Sequence, residues 1–190
     1  MSIREFLGIP EKHTTGETET VRKVIEALDQ IEPDRARFMA AFGYILGRVA
    51  NADLKISPEE TRAMERIIME RGALPEEQAL IVVQTAKTRT QLFGGTENFL
   101  VTREFSRIAT REEKLALLDC LFAVAASENG ISTTEDNEIR QIVNELGLGH
   151  PDFIAVRSRW KDQLTVFKNS KAASGTGFSH SKSKNACAAG

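Results

Sequence analysis

An all-α fold is what this sequence predicts, and three observations carry the prediction. Aromatic residues make up only 6% of the chain, with one Trp and one Tyr, and no β-branched run of period 2 is present. Apolar residues instead recur at helical spacing almost everywhere. Local capping sequences mark several helix starts.

In chain order, Val21, Val24, Ile25 and Leu28 fall at i, i+3, i+4 and i+7 and predict a helix over 18–31. Phe38, Ala41, Phe42, Ile45, Leu46 and Val49 carry the rhythm on through a helix over 35–51. Met64, Ile67 and Ile68 mark a face of the next, 57–71, and Leu80 with Val83 a shorter one on 75–90. Val101, Phe105 and Ile108 predict 97–109. A nearly continuous apolar set, Leu117, Leu118, Leu121, Phe122, Val124 and Ala125, predicts a buried helix over 111–127. Helices over 132–146 and 151–167 complete the series, the last patterned by Phe153, Val156, Trp160, Leu164 and Phe167. Stripes of this kind are buried only against one another, which makes a compact bundle of seven or eight helices.

The punctuation agrees. Ser57-Pro58-Glu59-Glu60, Ser132-Thr133-Thr134-Glu135 and Thr110-Arg111-Glu112-Glu113 each have capping-box form, so Ser57, Ser132 and Thr110 are expected N-caps. In each, the hydroxyl accepts from an orphan amide while the carboxylate reaches back to the cap's own N–H. Gly72, Gly94-Gly95 and Gly147 sit where helices should stop.

Charge and length exclude several function classes. Over 190 residues, Lys+Arg 25 against Asp+Glu 27 gives a formal charge of -2, so no basic field favours nucleic acid. The longest apolar stretch, Leu115 to Ala126, carries Asp119 and falls short of the ~18 residues of a membrane-spanning helix. The first residues, Met1 to Glu5, are charged where a signal peptide needs an apolar run, so a cytoplasmic protein without membrane insertion is expected. Residues 1–16 read as a loose arm, 17–168 as the helical domain, and 169–190 as a disordered Ser/Gly/Lys tail without an acidic residue.

Sliding the chain by 75 positions aligns Val49-Ala50 with Val124-Ala125, Ile56-Ser57 with Ile131-Ser132, Glu60 with Glu135 and Ile67 with Ile142. Asp53 falls on Glu128, Met64 on Ile139, Ile68 on Val143 and Gly72 on Gly147. A helix–loop–helix unit therefore occurs twice. Two such units facing each other make a pseudo-twofold bundle, with the helices near 35–51 and 111–127 at its centre.

A helix ending in Val-Ala, a short acidic loop, then Ile-Ser-x-x-Glu opening the next helix, all occurring twice, resembles the tellurite-resistance TerB family. The copies run Val49-Ala50-Asn51-Ala52-Asp53-Leu54-Lys55-Ile56-Ser57-Pro58-Glu59-Glu60 and Val124-Ala125-Ala126-Ser127-Glu128-Asn129-Gly130-Ile131-Ser132-Thr133-Thr134-Glu135. The stretch His150-Pro151-Asp152-Phe153-Ile154 is also similar to the segment after the second repeat in that family. The resemblance covers residues 20–165. It implies an all-α fold, acidic clusters that bind a divalent cation, and a protein partner in stress-response machinery at the membrane. It implies no established catalysis. The same domain type opens DjlA-type co-chaperones, which gives the alternative of a co-chaperone or adaptor. The family's loop usually reads Ala-Asp-Gly, where this chain has Ala52-Asp53-Leu54 and Ser127-Glu128-Asn129.

These loops supply the candidate chemistry. Asp53, Glu60, Glu128 and Glu135 could supply oxygens to Ca2+ or another divalent cation, which wants several hard ligands on a pre-ordered backbone. Glu60 and Glu135 are equally accounted for as capping-box carboxylates, and Asp53 and Glu128 as exposed loop acids. His150-Pro151-Asp152 is the tripeptide of J domains, but the acidic, glycine-broken stretch before it reads better as a helix stop and then a new helix start. Cys120 lies in the most apolar helix, as inert core thiols do, and Asp119 beside it is expected to face solvent or meet Arg111 or Lys114. Histidines 13, 150 and 180 have no ligand or triad spacing. Catalysis is not expected.

Overall fold

The computed structural model describes residues 19–50, 58–93, 98–127 and 130–165, within which eight α-helices succeed one another. They are α1 (Glu19–Asp29), α2 (Pro33–Ala50), α3 (Pro58–Arg71), α4 (Glu76–Phe93), α5 (Asn98–Ile108), α6 (Arg111–Ala126), α7 (Thr133–Glu145) and α8 (His150–Arg159). The arm at 1–16 and the tail at 169–190 lie outside the described residues.

The expected centre is the observed centre. Every residue of α2 from Phe38 to Val49 is buried, as are Leu117, Leu118 and Cys120 to Ala125 of α6. One continuous apolar cluster links all eight helices. Within it the rings of Phe38, Phe42 and Phe105 stand 5.2–6.1 Å apart, and Phe122 meets Phe153 at 6.0 Å.

The two repeats cross reciprocally. The first helix of one copy, α2, packs against the second helix of the other, α7, and α6 packs against α3 in the same way. Likewise α2 lies on α4 and α6 on α8. A twofold relation between the copies requires this exchange of partners.

The closest approach is between α2 and α4. A Cβ at Gly43 would stand 2.6 Å from the Val82 carbonyl oxygen and 2.8 Å from the Thr85 Cβ. Ala36, Ala40, Gly43 and Gly47 recur at spacings of four, three and four along α2, and Ala79, Val82, Val83 and Ala86 answer on α4. Small side chains let two helix backbones come together. Because α4 turns this small-residue side inward, Leu80 does not share the buried face with Val83 as its spacing predicts; it remains 41% exposed.

Helix ends agree with the sequence in one copy and differ by a residue in the other. Gly147 adopts φ 68, with its N–H donating to Asn144 O and the Leu148 N–H to Val143 O, both at 3.1 Å, a Schellman ending. In the first copy the left-handed residue is Ala73 at φ 52, one position past Gly72. Ala73 is exposed, so nothing but backbone strain is at stake there. Ala73→Gly is therefore expected to raise stability by about 0.5–1 kcal/mol, the relief of strain less the added freedom of the unfolded chain. A urea midpoint that moves downward would contradict the assignment.

The eighth helix is shorter than its periodicity predicts. It ends at Arg159, a 3-10 turn over Lys161–Gln163 comes next, and Leu164 pairs with Ile131 in a short parallel bridge. Leu164 is buried by that bridge rather than by a helix face. Phe167 lies outside the described residues.

Candidate functional site

The second junction, between α6 and α7, is built from local chemistry upward. Ser127 closes α6, its hydroxyl donating to Val124 O at 2.7 Å. Gly130, at φ 93, turns the chain where a side chain would be strained. Ile131 is then held from both sides: its N–H donates to Gln163 O at 2.8 Å and its carbonyl accepts from the Thr165 N–H and hydroxyl at 3.0 Å. Ser132 opens α7 as a capping box, accepting from Glu135 N–H at 3.2 Å while Glu135 Oε2 accepts from Ser132 N–H at 2.8 Å. Thr110 opens α6 by the same exchange with Glu113.

Of the four acids proposed as cation ligands, the structure places Glu135, with one carboxylate oxygen committed to the cap. Asp53 and Glu128 lie outside the described residues, as does the expected cap Ser57, and of Glu60 only the backbone position in the first turn of α3 is described. Among the described residues no group of three His, Cys, Asp or Glu side chains converges as a metal site requires.

The most conspicuous polar feature is one that periodicity passes over. Arg48, in the last turn of α2, has a side chain only 1% exposed. Its guanidinium donates to Glu138 Oε1 at 2.8 Å, Glu145 Oε2 at 2.5 Å, Glu145 Oε1 at 3.2 Å and Thr102 Oγ1 at 2.7 Å. Gln141 adds a bond to Glu145 at 3.0 Å. Burial alone would push the Glu145 carboxyl up, but the bonds from Arg48 and Gln141 outweigh it and hold the group below its ordinary range. Burial likewise opposes the Arg48 charge, and the two glutamates overcome it, raising its pKa. Its signal in the sequence was available: Arg48 is the one charge in the apolar run from Phe38 to Val49.

The reciprocal crossing carries its own polar link with the signs exchanged. Asp119 of α6 accepts from Arg71 of α3 at 2.7 Å and from Trp160 Nε1 at 3.1 Å, with the Arg71 guanidinium 4.8 Å over the Trp160 ring. Asp119 thus meets a residue 48 positions away rather than Arg111 or Lys114. Arg111 is engaged instead by Asp152, at 2.5 Å.

The same Asp152 explains the His-Pro-Asp tripeptide. Its Oδ2 accepts from Gly149 N–H at 3.2 Å, and Pro151 occupies the first turn of α8, where a missing N–H costs nothing. The tripeptide is a helix start. Cys120 is fully buried, and desolvation first, then the Asp119 charge, push its thiol up to about 12, far from a nucleophile's value. No described helix is long and apolar enough to cross a membrane.

Fold and junctions together define a class: an all-helical module made by reciprocal crossing of two helix–loop–helix repeats. The family model of tellurite resistance protein TerB matches residues 38–158, which include both repeats, and the chain belongs to that family. No curated protein and no solved structure matches it.

Proposed function

We propose that this chain is a non-catalytic binding module of a stress-resistance system, which presents its two junction loops to a protein partner with a divalent cation bound between helix starts. Asp53, Glu60, Glu128 and Glu135 are the acids that would hold the ion. The observation that carries the reading is the built second junction. Glu135 is fixed there by its cap, and Ile131 is clamped on both sides by the C-terminal segment. A helix start held in this way fixes its carboxylate with little further ordering cost, which hard cations such as Ca2+ exploit. Cys120, buried in the core, is in no position to act as a nucleophile.

A ligand that binds only the folded state stabilises it by about 2.7 kcal/mol at a hundredfold excess over its Kd. For a chain of this size that corresponds to a rise of about 5–10 °C in melting temperature. Millimolar Ca2+ or Mg2+ is expected to produce a rise of this kind, and Asp53→Ala with Glu128→Ala to abolish it. Melting that ignores the ion, or an ion response that survives the double substitution, would remove the cation from the account.

A further inference from the structure

Helix α5 is fastened along its inner side. The Tyr44 hydroxyl donates to Asn98 Oδ1 at 2.5 Å, Thr102 Oγ1 accepts from Arg48 at 2.7 Å, and the Ser106 hydroxyl donates to Leu146 O at 2.7 Å. Val101 and Phe105 are buried as well. The outer side has the opposite character. Phe99 is 53% and Leu100 61% exposed, the two most exposed large apolar side chains among the described residues, and they are consecutive. Arg103 and Arg107 continue the stripe at spacings of four from Phe99. Arg103 is exposed and has no ion pair or hydrogen bond among the described residues. Arg107, 73% exposed, pairs with Glu104 at 3.5 Å. From Phe99 to Arg107 the stripe runs about 12 Å along the helix.

An aromatic and an aliphatic side chain flanked by arginines have the composition of a protein interface, from which lysine and glutamate are depleted. Shape and charge say what fits it. In the 75-residue register that aligns the repeats, Phe99 and Leu100 fall on Val24 and Ile25. Those two are buried, and the helix that carries them, α1, packs against α4. At these positions the first half is closed by a helix of its own and the second stands open, so a helix is the shape that completes it. The two arginines call for carboxylates beside the apolar stripe of that helix. A second copy of this chain would bring two more arginines and, in Glu104, an acid already paired with Arg107. The match is therefore with a different protein.

We infer that the outer face of α5 docks an acidic amphipathic helix of another protein, with Phe99 and Leu100 against its apolar stripe and Arg103 and Arg107 on its carboxylates. Because α5 is held from the inside, the face is already formed and little ordering accompanies binding. It shares no residue with the proposed cation ligands, so the two readings stand or fall separately.

The test is an NMR titration of the 15N-labelled full chain with a synthetic helical peptide bearing Leu at i, i+3, i+4 and i+7 and Glu at the flanking positions. Saturable shifts are expected at the Phe99, Leu100, Arg103 and Arg107 amides, with Lys87 and Ser158 unaffected. Leu100→Ser, or Arg103→Glu with Arg107→Glu, should each weaken binding about tenfold while circular dichroism stays unchanged. Raising the ionic strength to about 1 M, where the screening length falls to about 3 Å, should weaken it too. The same peptide with Lys in place of Glu should bind less well, an answer that holds even if a substitution in α5 disturbs the fold. Shifts that are absent or centred elsewhere overturn the inference, as does equal binding of the Lys peptide. So does self-association in sedimentation that Leu100→Ser abolishes, because a second copy then takes the face. Binding to vesicles of phosphatidylcholine with phosphatidylserine that is lost in the double arginine variant overturns it likewise, in favour of a lipid surface.

Discussion

Arg48→Ala is expected to lower the stability of the folded chain by about 3–5 kcal/mol, a large part of the whole for a domain of this size. The loss is not the value of the ion pairs themselves. It arises because Glu145, only 8% exposed, is left charged in the interior with no guanidinium to answer it. Glu138, 30% exposed, can turn to water, so Glu138→Gln should cost no more than about 1 kcal/mol. Removing both buried members, as Arg48→Met with Glu145→Leu, should recover most of the loss, since no orphan charge remains. The pH dependence has a definite sign. Glu145 titrates below its ordinary range in the folded state, so its contribution is full at neutral pH and is lost as pH falls through the folded value, beneath about 4.3. The gap between wild type and Arg48→Ala should therefore be widest near neutrality and shrink in acid. Urea titrations at about pH 7 and about pH 3.5, on either side of the ordinary glutamate value, measure it. A gap that stays constant would mean that the guanidinium does not compensate a buried carboxylate.

Gly43→Ala should destabilise by about 1–3 kcal/mol, although alanine is the better helix former by about 1 kcal/mol. The added methyl would sit 2.6 Å from a backbone oxygen of α4, which no rotamer change relieves. The helices must separate, and the packing of Ala79, Val82 and Val83 against α2 goes with them. Gly43→Val should cost more still. Equilibrium urea unfolding reads both, and a gain in stability at Gly43→Ala would mean that α2 and α4 do not approach this closely.

The elements that sequence alone made legible are those set by neighbours along the chain. The boxes at Thr110 and Ser132 form within four residues, so their hydroxyl and carboxylate find in the folded protein the partners that spacing assigns them. The doubled unit was visible for the same reason, since caps and core positions recur at one fixed separation. What escaped was decided at long range. Trp160 and Leu164 keep helical spacing, yet Leu164 is buried by pairing with Ile131, far back along the chain. Leu80 matches the period of Val83, but the small-residue stripe facing α2 outweighs it and leaves Leu80 outside. Asp119 had two basic neighbours on its own helix and took Arg71 and Trp160 instead. Arg48 looked like an interruption of an apolar run; its glutamates lie 90 and 97 residues away, beyond any periodicity argument. For the acidic loops, type and spacing name candidate ligands, but coordination depends on how the two junctions approach, which is a property of the crossing and not of either loop.

That crossing is tested most directly by dividing the chain between Ala109 and Thr110 and monitoring the circular dichroism of the halves, apart and mixed. If α2 needs α7 and α6 needs α3, each half alone should lack a cooperative thermal transition. Mixed at equal concentration, the halves should gain helix and melt together as a 1:1 complex. A half that unfolds cooperatively by itself, with no change when its counterpart is added, would contradict a bundle in which each repeat is completed by the other.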